Sequence, residues 1–302
     1  MIKSPRTTYY CVFIFYIGLV TSCKVQVESE RAEQKAPIIL QGPAWAAAWQ
    51  QKAGEYKALC YQAYNLAHMQ LDFLMQQPFE KPLAIITDID ETVLDNSPYQ
   101  VHQALHNAEY SDPSWMEWTA KVDCDTVPGA LSFLRYAKNK GVSVFYITNR
   151  LEEERSQTLK DLQRWGFPDA TDAHLTMKTN TSSKELRRKK VSDEYEILLL
   201  MGDNLSDFSA VFDKKSLEER NSQVQDNIAM FGTRFIVFPN VMYGDWDGAI
   251  YKYQYNLPPK EKERIIMQFL QVVKHKNIHI PLKSWRGIFC MEATTFQMVK
   301  KM

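Results

Sequence analysis

Three short acidic or polar clusters and one lysine stand where apolar runs end, and their residue types suit chemistry on a phosphate group beside a divalent cation. The first cluster is Asp88-Ile89-Asp90-Glu91-Thr92, directly after Leu83-Ala84-Ile85-Ile86-Thr87. Side chains two apart in an extended chain share a face, so Asp88 and Asp90 are expected to point into one crevice. The second is Thr148-Asn149-Arg150, after Val142 to Ile147. The third is Gly202-Asp203-Asn204, after Ile197 to Met201, with Asp207 four residues beyond Asp203. Three carboxylates at one edge repel one another unless a cation lies among them, and hard oxygen ligands of this kind suit Mg²⁺. A phosphate also needs a positive group to hold it, and Thr181-Ser182-Ser183-Lys184-Glu185 supplies one. Ser182 with Glu185 three residues later has the form of a capping box, which predicts Lys184 in the first turn of a helix. Lysine opposes the helix dipole there unless an anion binds at that N-terminus.

These clusters need a scaffold that brings strand ends together. The β-branched runs at 83–87, 142–147 and 197–201, with a fourth at Phe235 to Phe238, alternate with helical segments at Ala130 to Lys140 and Glu185 to Lys190. That alternation predicts an α/β fold with an open, mainly parallel, Rossmann-like sheet flanked by helices. Such sheets bind ligands at the carboxyl ends of their strands, where all of the clusters fall. Trp45, Trp49, Tyr56, Leu59, Ala63, Leu66, Leu71 and Leu74 recur at helical spacing and predict one long amphipathic helix from Trp45 to Met75, its aromatics in the core. Residues 96–127 carry Trp115 and Trp118 without a strand pattern and read as a smaller, mostly helical cap. A further helix is expected from Lys260 to Lys274, and the tail 283–302 shows no pattern with a function.

The N-terminus is a separate signal. Lys3 and Arg6 precede an apolar run from Tyr9 to Val20, then Val20-Thr21-Ser22-Cys23. A charged region, a short hydrophobic stretch and small residues before a cysteine read as an export signal over 1–22, too short for the roughly 20 residues of a spanning helix. Residues 24–43 are polar and end in Gly42-Pro43, as a tether would, so that the folded domain is expected over 44–282. Cys60, Cys124 and Cys290 have no metal-binding or redox spacing and read as small hydrophobes. Lys plus Arg and Asp plus Glu both number 36, so the net charge of zero carries no footprint for a nucleic-acid polymer. The six histidines, at 68, 102, 106, 174, 275 and 279, form no ligand pattern.

Val-Thr-Ser-Cys resembles a bacterial lipobox, which implies lipid on Cys23. The clusters at Asp88, Thr148, Lys184 and Asp203 resemble the four motifs of the haloacid dehalogenase superfamily. More narrowly, D-I-D-E-T-V-L-D-N-S-P-Y, F-Y-I-T-N-R and G-D-N-L-S-D-F are similar to the class C acid phosphatases, which include lipoproteins of bacterial outer membranes. The resemblance runs from about Trp45 to Lys274. It implies a phosphoric monoester hydrolase acting on small phosphomonoesters, with Asp88 as nucleophile and Asp90 as the acid and base that serves the leaving group and then water. Thr148 and Lys184 would hold the phosphoryl group. Mg²⁺ would be bound by Asp88, the carbonyl of Asp90 and Asp203, with Asp207 and Asn149 supporting these ligands from behind or through water. Trp115 and Tyr243 would sandwich an aromatic leaving group such as a 5′-nucleotide's nucleoside. Asp90 must be protonated for the first step, which favours mildly acidic conditions. The same crevice would also serve a lipid-anchored nucleotide, cofactor or haem-uptake protein, or a phosphotransferase. A homo-oligomer is allowed but not specified.

Overall fold

The computed structural model describes residues 38–270; the export signal, Cys23, Cys290 and the tail 283–302 lie outside them. Seven strands and ten α-helices follow in chain order. Helices α1 (Ile38–Lys52) and α2 (Gly54–Leu74) come first, then β1 (Leu83–Thr87), β2 (Leu94–Asp95), α3 (Ser97–Leu105), α4 (Asp112–Thr119), β3 (Asp125–Thr126), α5 (Ala130–Asn139) and β4 (Ser143–Ile147). The second half holds α6 (Arg155–Trp165), β5 (Leu175–Thr176), α7 (Glu185–Glu194), β6 (Glu196–Gly202), α8 (Leu217–Asp226), β7 (Phe235–Val237), α9 (Asp245–Ile250) and α10 (Pro259–Phe269).

Five strands form one all-parallel sheet in the order β5-β4-β1-β6-β7, so the strand carrying the first acidic cluster is central. Its partners hold it in register, with Thr87 opposite Tyr146 on one side and Met201 on the other. The period of two divides the sheet between two cores. Ile85, Val144 and Tyr146 pack with Tyr64, Leu71, Phe133 and Leu134 from α2 and α5. Ala84, Ile86, Phe145 and Ile147 pack on the opposite face with Val191 of α7. Because both faces are covered, the strands are apolar throughout, which is why they were legible as continuous β-branched runs.

Several elements depart from the sequence expectations. The helix predicted from Trp45 to Met75 is two helices, parted at Ala53, whose φ of −79° and ψ of 131° are extended. Gly54 begins the second, and a glycine inside a helix costs about 1 kcal/mol relative to alanine, so the break falls at a weak position. The tether expected to run to residue 43 gives way to helix at Ile38. Trp45, expected in the core, is 80% exposed, whereas Trp49 of the same helix packs against the core. The fifth strand, β5, was missed because two residues leave no periodic signal. The segment 96–127, read as a cap, holds α3 and α4, and its last residues pair as β3 with β2 in an antiparallel ribbon. The helix expected from Lys260 to Lys274 is described over Pro259–Phe269. Cys60 and Cys124 are free and buried, and burial pushes the Cys60 thiol up to about 11. No helix among the described residues is long and apolar enough to cross a membrane.

Candidate active site

Asp88 is the first residue beyond β1, and its backbone N–H donates to the Met201 carbonyl at 2.9 Å, which extends the β1–β6 ladder by one bond. The parity of the strand continues through it. Ala84 and Ile86 face α7, Asp88 follows on the same side, and Lys184 stands immediately before that helix. The Lys184 ammonium hydrogen-bonds Asp88 Oδ1 and lies 2.7 Å from Asp207 Oδ1. All three side chains are buried. Asp207 is reached from β6 through a tight turn, in which Asn204 N–H donates to Asp207 Oδ2 at 3.0 Å. Gly202 permits that turn. A Cβ at this position would fall 2.3 Å from Asp207 Oδ2 and 2.5 Å from its Cβ, so the carboxylate can pack there only against bare backbone.

The capping box expected of Ser182 with Glu185 does not form. Lys184 itself is the N-cap of α7 and no side chain caps the helix. Ser182 and Ser183 instead give their carbonyls to Arg187 Nη2, both at 3.2 Å. Arg187 is a hub that sequence reading passed over. Its Nη1 donates to the Thr148 carbonyl at 2.6 Å and to the Met177 carbonyl at 3.2 Å, while Nη2 also reaches Asn149 Oδ1 at 2.6 Å. One guanidinium thus ties the end of β4 to the loop bearing Lys184.

Asp203 completes the acidic group. Asn240 Nδ2 donates to Asp203 Oδ2 at 2.7 Å, and Thr92 Oγ1 donates to Oδ1 at 3.5 Å. Asp88, Asp203 and Asp207 each offer a carboxylate oxygen, and these three atoms lie within 4.8 Å of one another. Asp207, expected only as a supporting residue, therefore stands level with the other two. Burial pushes the Asp88 carboxyl up to about 7, with Lys184 pulling it down and Asp207 and Asp90 pushing it further up. Asp203 is driven well above the ordinary carboxylate range by desolvation, then by Asp207 and Asp88. Desolvation would lower the Lys184 value, but Asp207 and Asp88 outweigh it and hold the ammonium above the ordinary lysine range. Lys184 pairs with Asp88 and Asp207 while Asp203 adds a third carboxylate to the oxygen cluster, so hard oxygen donors and excess negative charge coincide, as a divalent cation requires.

Asp90 faces the second cluster. Its carboxylate meets the buried Arg150 guanidinium at 2.7 Å and Thr148 Oγ1 at 3.4 Å. Arg150 stood in the motif Thr148-Asn149-Arg150 without an assigned role, since a charge at a strand end gives no hint of a partner 60 residues earlier. Glu91 was likewise unassigned. It is fully buried at a left-handed φ of 57°, a conformation costing on the order of 1–3 kcal/mol. Gln50 of α1 donates to its Oε2 at 2.7 Å, and Asn96 N–H and Tyr243 OH donate to its Oε1, both at 3.1 Å. Burial first, and Asp95 next, push Glu91 up to about 8. Tyr243 is thereby fixed beside the first cluster. Trp115 is buried in the cap, edge-on to Tyr99 at 4.9 Å between ring centroids, with the Arg150 guanidinium 5.9 Å from its own.

Residues 19–246 match the HAD superfamily, subfamily IIIB (acid phosphatase). Among solved structures, the class C acid phosphatase from Bacillus anthracis superposes with a TM-score of 0.76 and 42% identity, covering 78% of this chain and 99% of that one. The crystal structure of that protein with tungstate bound gives the same values. Acid phosphatase 1 of Solanum lycopersicum is 30% identical over 130 residues, and the stem 31 kDa glycoprotein of Glycine max is 27% identical over 128. Each of these two alignments takes in 40% of this chain and 50% of the relative, so the chain spans about half the length of the curated relatives it matches. A parallel sheet with its acidic and basic residues gathered at one edge and a family match across most of its length lead to one assignment: the chain belongs to the acid phosphatase subfamily IIIB of the HAD superfamily.

Proposed function

We propose that this protein is an acid phosphatase that hydrolyses small organic phosphomonoesters, 5′-nucleotides among them, through a phosphoaspartate on Asp88. The observation that carries the reading is the gathering of the Asp88, Asp203 and Asp207 carboxylates at one sheet edge, with the Lys184 ammonium on Asp88 and Asp207. The 42% identity over nearly the whole of the B. anthracis class C acid phosphatase supports it, as does that protein's binding of tungstate, a tetrahedral oxyanion like phosphate. Mg²⁺ is the proposed metal; Asp88 and Asp203 would hold it together with the Asp90 carbonyl, and the Asp207 carboxylate lies in the same oxygen cluster. When bound, it supplies charge neutralisation at the phosphoryl oxygens.

The protein's own groups divide the remaining work. Asp88 attacks phosphorus, and a carboxylate nucleophile splits one difficult hydrolysis into two easier steps. Lys184 and Thr148 bear on the transferring oxygens, where preorganised positive charge and donors favour the transition state. Asp90 gives its proton to the departing alkoxide and then takes one from the water that releases Asp88. The test is phosphate release from a panel of monoesters by protein lacking residues 1–23. Binding of those esters without release would sink the enzyme reading and favour a capture protein built on the same crevice.

Tyr243 is proposed, with Trp115, to flank an aromatic leaving group. Aromatic stacking is worth about 1–3 kcal/mol per base and tolerates any base, so it would give breadth with a preference for nucleotides. In Tyr243→Ala, kcat/KM for a 5′-nucleotide is expected to fall by roughly 5–160-fold while an alkyl phosphate changes little. An equal loss on both classes would argue against stacking.

Export and attachment to a bacterial outer membrane through lipid on Cys23 are part of the same proposal. The Lys3 and Arg6 charges, the apolar stretch from Tyr9 to Val20 and Val20-Thr21-Ser22-Cys23 support it. Labelled palmitate is expected to enter the wild-type chain in a bacterial host but not Cys23→Ser. Equal labelling of both would end the anchoring proposal.

A further inference from the structure

We infer that Arg150 is a positioning residue for Asp90: with Asn96 it anchors the carboxyl oxygen Oδ1 and leaves Oδ2 as the atom that carries the proton to and from the reaction. This rests on the acid and base role proposed above. The two oxygens are held unequally. Oδ1 accepts three hydrogen bonds, from Arg150 Nη2 at 2.7 Å, Asn96 Nδ2 at 2.9 Å and Arg150 Nε at 3.0 Å. Oδ2 has only Arg150 Nε at 3.2 Å and Thr148 Oγ1 at 3.4 Å. Oδ1 is thus the more heavily engaged oxygen, which leaves Oδ2 the one turned to the reaction.

Arg150 is itself immobilised. Its side chain is 1% exposed against 15% for Asp90, Nη1 donates to Thr158 Oγ1 of α6 at 3.2 Å, and the Trp115 ring lies 5.9 Å from the guanidinium. Asn96 is pinned as firmly, its Oδ1 accepting from Trp118 Nε1 at 2.9 Å and from Cys124 Sγ at 3.2 Å. A buried ion pair contributes little net stability, because desolvation offsets attraction. Geometry is the better account of it: a planar fork on a planar carboxylate sets the rotation of both oxygens. The proton ledger then closes. The P–O bond to the leaving group breaks with its electron pair on that oxygen, which takes the Oδ2 proton as the Asp88 carboxylate bonds to phosphorus. Water returns a proton to Oδ2 as its oxygen bonds to phosphorus and the P–O bond to Asp88 breaks with its electron pair on the Asp88 carboxylate.

Proton donation matters most when the leaving group is poor, and this distinguishes positioning from structural support. Arg150→Lys keeps the charge and loses the fork. Its kcat/KM for an alkyl phosphate is expected to fall about 10²-fold, with p-nitrophenyl phosphate falling less than about tenfold. Asp90→Asn should show the same split more strongly. Asn96→Ser, which withdraws the other Oδ1 donor, should show a weaker one, and it decides alone if Arg150→Lys does not fold. Parallel losses on both esters would overturn the inference while leaving the phosphatase reading intact. A wild-type protein that hydrolyses neither ester removes that reading, and the inference falls with it.

Discussion

Asp88→Asn is expected to lower phosphate release by on the order of 10⁴-fold or more, since loss of a covalent nucleophile leaves only the binding and electrostatic contributions. The fold should survive the change. Asparagine keeps the shape and an oxygen acceptor for Lys184, and Lys184 retains Asp207 at 2.7 Å. Thermal stability is expected to rise at neutral pH in chelator. Burial pushes Asp88 up to about 7, so ionising it in the folded state is costly, and a neutral amide avoids that cost. A carboxyl raised on folding destabilises the native state increasingly as pH climbs from near 4 to near 7. The melting-temperature gap between variant and wild type should therefore close as pH falls towards 4. Calorimetry across that window, beside a phosphate-release assay, checks both parts. Substantial residual hydrolysis by the variant would remove Asp88 from its role.

Metal withdrawal is expected to be nearly as damaging. Lys184 is the single cation paired with Asp88 and Asp207 among the described residues, and Asp203 adds a third carboxylate to their oxygen cluster. Without a divalent ion, that group keeps excess negative charge where a phosphate dianion must enter. Exhaustive chelation should reduce phosphate release to background, and added Mg²⁺ should restore it. The ion should also stabilise the fold by about 2.7 kcal/mol at one hundred times its Kd, seen as a rise in melting temperature. Asp203→Asn should lose most of that rise. Full activity after chelation, with no stabilisation by Mg²⁺, would contradict the site as described.

What the chain determined locally was the location of its chemistry. Continuous apolar runs marked β1, β4, β6 and β7, and the polar residues that end them landed at one sheet edge because parallel strands all present their carboxyl ends there. Residue type then gave carboxylates for a hard cation and Lys184 for an anion. The signal fades where an element is short or a partner is distant. Two-residue strands such as β5 carry no period, and the break at Ala53 depends on how α1 and α2 pack. Arg150 lies 60 residues from Asp90, and Lys184 lies 96 from Asp88. Tertiary structure alone decided that Arg150 grips Asp90, that Asp207 joins the acidic cluster and that Lys184 reaches the site from an uncapped helix start. Hydrogen bonds and ion pairs act over a few ångströms in space, and only the completed fold determines which residues come that close.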